Sequence, residues 1–408
     1  MGVNMLRGFK VSLRPLRIRR TAALQGRRPC SISITAFFKR IGAAIARGLG
    51  LLVVGILWPF MAAHGWYQRR NWLIKLPVAA FVTLMAVLYI YFVWQTQVWS
   101  GFDTSYPSVY RFEDRKVGAG QELPVTSGQQ VAATTPKACQ TSGTVDVTAD
   151  LIDFNVNQNA WISSMLLFKL GFFGVAWDDT PFLDNKAAFQ RGVNQAVRRT
   201  AVELVDTLGR VRGTSGINGD LQSARGNLQF DEASWYFGMR PFGPKTPTPS
   251  YYRAAITSLR KFNTDLGTCN AVFDGRADNL LQFIDRVAND LGSTSDILAE
   301  RSENHNYGWF DTRADDRFWF AYGQLYGYYG ILSAVEADFQ KVIAERNLGT
   351  LWGGTMKQLE AALRIQPAII SNGREDGWIM PSHLATMGFY ILRVRSNLVE
   401  MRSVLGGR

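Results

Sequence analysis

The sequence predicts an all-α protein in which a transmembrane anchor helix precedes a distal α-helical bundle. Three observations support this fold class. Residues 76–94 carry no charged side chain, and a helix of that length, at about 1.5 Å per residue, crosses the hydrocarbon of a bilayer. Helical periodicity dominates residues 150–408, where strand-type alternation is scarce. The 408-residue chain is 47% hydrophobic, which suffices for one or two buried cores besides the anchor.

The net charge of +12 is concentrated before the anchor. Residues 1–97 contain 14 of the 45 Lys and Arg residues and no acid, because the first acid in the chain is Asp103. The remaining 31 basic residues are balanced by 33 acids. A basic segment beside an anchor predicts contact with anionic lipid headgroups, at about 1 kcal/mol per nearby Lys or Arg. The nearly neutral distal domain argues against nucleic-acid binding.

The segment before the anchor divides into two parts. Residues 1–40 are basic and rich in Ser, which favours an unstructured cytoplasmic arm. The apolar stretch within residues 41–66 covers only positions 48–63 and contains Pro59. We therefore expect an interfacial or re-entrant helix there, with a second membrane span as the alternative.

The anchor helix is predicted over residues 75–97. Basic side chains favour the cytoplasmic side of a membrane and aromatic side chains favour its interfaces. Lys75 stands at the start of the anchor, and Trp94 and Trp99 stand near its end. We predict that these three residues fix the helix in a bacterial inner membrane, with the amino terminus in the cytoplasm and the main domain in the periplasm.

The rest of the chain is predicted as a linker followed by helices. Residues 98–149 are rich in Gly, Ser, Thr, Pro and Gln, which indicates an extended linker. From residue 150 onward, apolar positions recur every three or four residues, and the periplasmic domain is predicted to be helical. The predicted helices cover residues 189–208, 220–228, 251–266, 280–291, 318–342, 356–363 and 381–405.

The three cysteines are divided by the anchor. Cys30 precedes it, whereas Cys139 and Cys269 follow it. In an oxidising periplasm the latter pair is a candidate disulfide, and two unrelated buried thiols are the alternative. A bridge would close a loop of about 130 residues, equivalent to about 4–5 kcal/mol in the chain-entropy model.

Three features together resemble a known family. They are the run Trp-Asp-Asp-Thr-Pro-Phe-Leu-Asp-Asn at 177–185, the Arg-Gly-Thr-Ser turn at 212–215, and a closing helix opened by Pro381 after a single span. The chain thereby resembles, over most of residues 60–405, an uncharacterised family of bacterial inner-membrane proteins, domain of unknown function 2333. The resemblance implies a bacterial envelope protein. It transfers no catalytic residue, because the family has no assigned activity.

Several chemistries find no support in the sequence. The three histidines are far apart and the cysteines lack metal-ligand spacing, so we predict no metal site. Phosphate-binding glycine motifs are absent too, and no cofactor is predicted. Ser258 and Lys261 have the spacing of penicillin-recognising enzymes without the companion motifs. We interpret them as a solvated helix face.

The most suggestive segment is 305–322, where aromatic side chains alternate with carboxylates. Such mixtures bind sugars, and paired carboxylates cleave glycosidic bonds. Structurally, the same aromatics continue the stripe of a long helix, and acids in its first turn favour the helix dipole. The candidate catalytic residues are Asp311, Asp315 and Asp316, and the candidate binding residues, two of them outside this segment, are Trp309, Trp319, Tyr322, Trp378 and His383.

Two other clusters combine acids with aromatics. One contains Trp177, Asp178 and Asp179, and the other covers residues 372–383. Each alone is typical of a turn before a helix. If all three clusters meet in the fold, a functional site is favoured.

These observations favour a membrane-anchored periplasmic protein that is a non-enzymatic interaction or accessory module of the cell envelope. Its predicted partners are the lipid bilayer with its anionic headgroups and another envelope protein. The alternative is a periplasmic glycan-directed hydrolase or glycan-binding protein that uses residues 305–322.

Overall fold

The structure of the chain, a computed structural model, describes residues 34–124, 137–172, 174–180, 182–210, 216–239 and 241–407. Most of the predicted cytoplasmic arm and the turn at 212–215 lie outside these residues. The described chain is helical apart from one antiparallel hairpin, β1 (Phe237–Met239) with β2 (Phe242–Pro244). The predicted all-α class is confirmed.

Two compact bodies divide the chain between Val82 and Thr83. In the first body, α1 (Ile34–Gln68) and the start of α2 (Trp72–Gln97) are joined by a tight turn. The Tyr67 hydroxyl donates a hydrogen bond to the Lys75 carbonyl at 3.2 Å, and the Lys75 ammonium lies 5.9 Å from the centre of the Tyr67 ring. These contacts fix the turn between the two helices.

The helix α1 is longer than the sequence predicts. It continues through Pro59, so the expected break does not occur. By length and composition, both Gly42–Gln68 and Trp72–Gln97 qualify as membrane spans. The helix predicted for residues 41–66 is present and extends beyond both ends of that range. Its apolar part is long enough for the alternative of a second span, and the choice between an interfacial and a spanning helix stays open.

The second body, from Thr83 onward, contains the helical bundle. Its helices after α2 are α3 (Gly143–Asp153), α4 (Leu166–Leu170), α5 (Asn185–Glu203), α6 (Gly219–Leu228), α7 (Thr248–Gly267), α8 (Ala277–Asn304), α9 (Ala314–Asp338), α10 (Gln340–Glu345), α11 (Gly349–Leu363) and α12 (His383–Gly406). A 3₁₀ turn at Trp177–Asp179 precedes α5.

The helices α5 and α9 pack side by side in a parallel orientation. A Cβ atom on Gly192 would clash with the Phe320 carbonyl oxygen, and one on Gly323 would clash with the Phe189 carbonyl oxygen. Glycine at these positions lets the two backbones touch. Because the helices are parallel, their amino termini lie at the same end of the bundle.

The segment predicted as an extended linker over residues 98–149 packs onto the bundle in its described parts. The Tyr106 hydroxyl donates to the Tyr326 carbonyl at 2.8 Å, and the Tyr326 hydroxyl donates to the Asp103 carbonyl at 2.9 Å. The aromatic residues that pack against the core are Trp99, Phe102, Tyr106, Tyr110 and Phe112. The linker prediction was wrong here because the segment's composition was weighed without the spacing of these aromatics.

The helix α3 also begins inside the predicted linker. The buried Asp338 carboxylate accepts hydrogen bonds from the Ser142 hydroxyl and from the backbone N–H groups of Gly143 and Thr144, at 2.6–2.9 Å. Arg115 pairs with the same carboxylate at 3.0 Å. An acid from the far end of α9 therefore satisfies the otherwise unpaired donors at the start of α3.

Cys139 and Cys269 form a disulfide, with their Cα atoms 5.3 Å apart and a sequence separation of 130. The structure thus has the bridge and not the two unrelated thiols. It joins the strand-like segment before α3 to the turn after α7.

Replacing Gly192 or Gly323 with Ala should destabilise the bundle. The added methyl group must push α5 and α9 apart, and overpacking of this kind costs about 1–3 kcal/mol. The free energy of unfolding of the full chain in detergent micelles, from urea titration, measures the effect. The control is Gly353→Ala in α11, where the methyl group meets nothing within 4 Å and a gain of about 0.5–1 kcal/mol is expected. Equal stability of all three variants would contradict the close packing.

Candidate functional site

The carboxyl-terminal part of α2 is built into the second body. Phe92 is 0% exposed and packs on Trp177, with the ring centres 4.9 Å apart. The Tyr89 hydroxyl donates to the Gly171 carbonyl at 3.2 Å. The segment between α4 and α5 therefore receives the end of α2.

A buried lysine closes the end of α2. The Lys186 ammonium donates to the carbonyl oxygens of Gln95 and Val98, at 2.9 and 2.7 Å. These belong to the last turn and exit of the helix, where unpaired carbonyls attract a cation. Burial lowers the pKa of Lys186 to about 8. The Gln97 amide adds a hydrogen bond to the Phe182 carbonyl at 3.0 Å.

The three predicted membrane anchors have different surroundings. Lys75 lies against Tyr67 in the first body, and the Trp94 side chain is exposed. Trp99 packs inside the bundle instead, with its ring 5.0 Å from that of Phe189 and 5.2 Å from that of Trp319. Trp99 is only partly buried there, and its predicted interfacial role stays a prediction.

Four aspartates gather where α5 and α9 begin. Carboxylate oxygens of Asp178, Asp184 and Asp316 all lie within 4.8 Å of one another. Asp178 comes from the 3₁₀ turn, Asp184 precedes α5, and Asp315 and Asp316 stand in the first turn of α9. The parallel packing of α5 and α9 brings these residues together.

The carboxylates of Asp184 and Asp315 are buried without hydrogen-bond partners. Their residues are 1% and 5% exposed, and none of their four carboxylate oxygens has a partner. Asp184 occupies the N-cap position of α5, yet its side chain makes no capping hydrogen bond. Such groups are costly to bury in the ionised form.

Burial and mutual repulsion raise the pKa of each buried acid. Burial has the largest effect on Asp184, and the charges of Asp316 and Asp315 raise its pKa further. Burial and the charge of Asp316 raise the pKa of Asp315 to about 7. Burial and the charge of Asp178 also raise the pKa of Asp316, whereas Arg191, Arg317 and Arg313 oppose that shift.

Asp311, by contrast, is held in a structural ion pair. Its carboxylate accepts hydrogen bonds from the Arg301 guanidinium and, at 2.8 Å, from the Asn372 amide. Burial alone would raise the pKa of Asp311, but these hydrogen bonds outweigh it and lower the pKa below its usual value. A glycosidase acid needs the opposite shift.

Three of the predicted binding residues have structural roles. Trp319 belongs to the aromatic cluster with Trp99. The buried Tyr322 donates its hydroxyl to the Leu363 carbonyl at 2.7 Å. The Nδ1 atom of His383 accepts the Ser371 N–H at 2.9 Å, and burial lowers the pKa of His383.

Trp309 and Trp378 lie on an exposed aromatic surface formed by two loops. Gly308 and Asn372 exchange backbone hydrogen bonds of 2.9 and 3.1 Å, which hold the loops side by side. Trp378 is 93% exposed. The large exposed side chains of this surface, which we call the aromatic patch, are Tyr307, Trp309, Phe310, Trp378 and Ile379.

The structure brings the three acidic–aromatic clusters together. Asp316 meets Asp178, Arg313 lies 3.3 Å from the Asp179 carboxylate, and Asn372 contacts Asp311. The sequence did not indicate Asp184 as a candidate site residue, because an Asp directly before a helix is typical of an N-cap. The signal that could have identified it is the presence of acids at the start of two neighbouring parallel helices.

One family model matches the chain. It is described as "Uncharacterized protein conserved in bacteria (DUF2333)" and matches residues 130–308 and 300–407, which is more than half of the chain. The predicted resemblance to this family is confirmed over residues 130–407, and the inner-membrane location that was expected with it stays a prediction. No curated protein and no solved structure matches the chain.

The raised pKa values of Asp184, Asp315 and Asp316 predict a pH dependence of stability. In the presence of a chelator, the free energy of unfolding of the chain should fall as pH rises. When the pKa of an acid is higher in the folded state than in the unfolded state, the folded state is favoured while the acid is protonated. This contribution is complete below the pKa of the unfolded state, near 3.8, and it is lost as pH rises through the pKa of the folded state. Between about pH 4 and pH 8 the free energy of unfolding should fall by a few kcal/mol, since one pKa unit corresponds to about 1.4 kcal/mol.

The substitution Asp184→Asn should flatten this pH dependence and stabilise the chain at pH 8, because an amide cannot ionise. Asp296→Asn, at an exposed position on α8, is the matched control and should follow the wild type. Urea titrations from pH 4 to 8 measure the effect. An Asp184→Asn curve parallel to the wild type would show that Asp184 does not titrate as described.

Proposed function

We propose that this chain, which belongs to the DUF2333 family of uncharacterised bacterial proteins, is a non-enzymatic module of the cell envelope. It is anchored in the inner membrane by α2, holds its helical domain at the periplasmic surface, and binds another envelope protein there.

The observation that carries the proposal is the continuity between α2 and the domain. Phe92 is enclosed by the domain, and Lys186 closes the last turn of the helix. An apolar helix long enough to span a bilayer therefore ends inside the domain without a flexible spacer. This arrangement supports a domain held against the membrane surface.

Two features support the periplasmic side for the domain. The Cys139–Cys269 disulfide is typical of oxidising compartments. The 14 basic residues and the absence of acids in residues 1–97 favour the cytoplasm for the opposite end, by the positive-inside rule.

An apolar hairpin beside α2 supports contact with lipid. Phe172 and Val175 pair through backbone hydrogen bonds of 2.8 and 3.0 Å, and the preceding Gly171 carbonyl accepts the Tyr89 hydroxyl. Tyr89 belongs to the apolar run of the anchor, so the hairpin would lie at the depth of the outer interface. The exposed apolar side chains here are Phe172 and Val175 of the hairpin and Leu166 and Leu170 of the preceding helix α4. Exposed patches of this kind mark interaction sites.

The aromatic patch supports a protein partner. Trp, Tyr and Phe side chains are enriched in protein interfaces, and the patch has all three types. The carboxylates predicted for glycan chemistry do not form an open pair within residues 305–322, all of which the structure describes. The geometry therefore favours the interaction module over the glycan-directed enzyme.

The topology can be tested with the native Cys30. With Cys139 and Cys269 bridged, Cys30 is the one thiol of the chain's three cysteines open to labelling. In cells with a permeabilised outer membrane, a membrane-impermeant maleimide should not label the chain until the inner membrane is lysed. A phosphatase fusion after residue 110 should be active.

Each alternative gives a different pattern. Labelling of Cys30 before the inner membrane is lysed, together with an active fusion, would show that α1 also spans and that the amino terminus is periplasmic. An inactive fusion would overturn the periplasmic domain. The Cys30→Ser variant is the control, and it should label only after reduction and unfolding.

The partner can be tested by photo-crosslinking in intact cells. A photoreactive residue at Trp378 should give an adduct with one envelope protein, identified by mass spectrometry, because this side chain is the most exposed of the aromatic patch. The control position is Val109, which is 77% exposed in another part of the domain and should give no such adduct. The same adduct from both positions, or lipid adducts alone at Trp378, would contradict a partner at the patch.

A further inference from the structure

We propose that Asp178, Asp184, Asp315 and Asp316 form a binding site for a divalent cation, and that the site takes Ca²⁺ in preference to Mg²⁺. The site lies at the amino-terminal ends of the parallel helices α5 and α9.

The spacing of the carboxylates fits a single ion. Oxygen ligands lie about 2.3–2.6 Å from Ca²⁺, so two ligands on opposite sides of the ion are at most about 5 Å apart. Oxygens of Asp178, Asp184 and Asp316 lie within 4.8 Å of one another. One cation could therefore contact all three side chains.

The buried acids provide an independent observation. Asp315 lies outside that group of three. It is only 5% exposed, and neither of its carboxylate oxygens has a hydrogen-bond partner. Asp184 is equally unpartnered. Buried carboxylates are normally paired, hydrogen-bonded or bound to metal. Two unpartnered acids beside two others are explained by a cation.

The neighbouring basic side chains have other partners or act on the cluster only at a distance. Arg313 pairs with Asp179, Arg191 donates to the Ser163 hydroxyl at 3.0 Å, and Lys186 is bound to the carbonyls at the end of α2. Arg317 also faces Asp316 electrostatically. Within the part of the chain that the structure describes, none of the four aspartates forms an ion pair with Lys or Arg.

The ligand chemistry selects the class of cation. Carboxylate oxygens are hard ligands that suit Ca²⁺, Mg²⁺ and Mn²⁺. Mg²⁺ gives up its water reluctantly and is held by one or two carboxylates, whereas Ca²⁺ accepts several carboxylates in a flexible arrangement. The three converging carboxylates of Asp178, Asp184 and Asp316, with the buried Asp315 beside them, therefore favour Ca²⁺.

A cation at this site would strengthen the attachment of the anchor. Asp178 follows Trp177, which packs on Phe92 of α2, and Asp184 lies two residues after Phe182, whose carbonyl accepts a hydrogen bond from Gln97 of α2. Asp316 belongs to α9. The ion would join this receiving segment to the central helix pair of the bundle.

The test uses the full chain in detergent micelles after treatment with a chelator. Adding Ca²⁺ up to about 1 mM, the range of extracellular sites, should raise the melting temperature, because a ligand of the folded state stabilises it. Tb³⁺, which replaces Ca²⁺, should show luminescence sensitised by tryptophan, since Trp177 adjoins Asp178. Both signals should persist in Asp296→Asn and disappear in the double variant Asp184→Asn, Asp316→Asn.

The double variant should remain folded, because two neutral amides relieve repulsion. Its melting temperature in chelator, no lower than that of the wild type, separates loss of binding from loss of folding. A wild type that responds to neither Ca²⁺ nor Tb³⁺ overturns the site, and so does a double variant that responds as the wild type does. A response to Mg²⁺ without one to Ca²⁺ overturns the assignment to Ca²⁺.

Discussion

The contact between the backbones of α5 and α9 is the constraint on which the rest of the domain depends. Gly192 and Gly323 permit it, and it fixes the two helices in parallel with their amino termini together. The four aspartates meet there as a result, and so does the segment that holds the end of α2. A single packing choice thus places the charge cluster and the anchor attachment at one end of the bundle.

Much of the fold follows from local sequence patterns. The apolar stripe from Leu384 to Leu405 predicted α12, which the structure places at His383–Gly406. Periodicity located α6 and the core of α7 in the same way. The helix α3 was missed, because its sequence is rich in Thr and Val and its start depends on Asp338, which lies about 195 residues away. No local window contains that interaction.

The candidate site could be predicted only in part, for a similar reason. Asp315 and Asp316 were identified as unusual acids, and Asp178 was assigned to a separate cluster. Locally, each has an ordinary explanation as a cap or a first-turn acid. Their proximity depends on which helices pair and in which direction, and two glycines about 130 residues apart in sequence determine that. The pairing and direction of these helices cannot be predicted from hydropathy or charge along the sequence.

The rigid end of α2 has a mechanical consequence in a membrane. Helices respond to a bilayer that is thinner or thicker than their apolar length by changing their tilt. Because residues 83–97 belong to the same compact body as the domain, and Lys186 and Phe92 hold them there, a change in the tilt of these residues would carry the domain with it. If α2 spans a bilayer as we propose, the thickness of that bilayer would set the angle at which the aromatic patch meets its proposed partner.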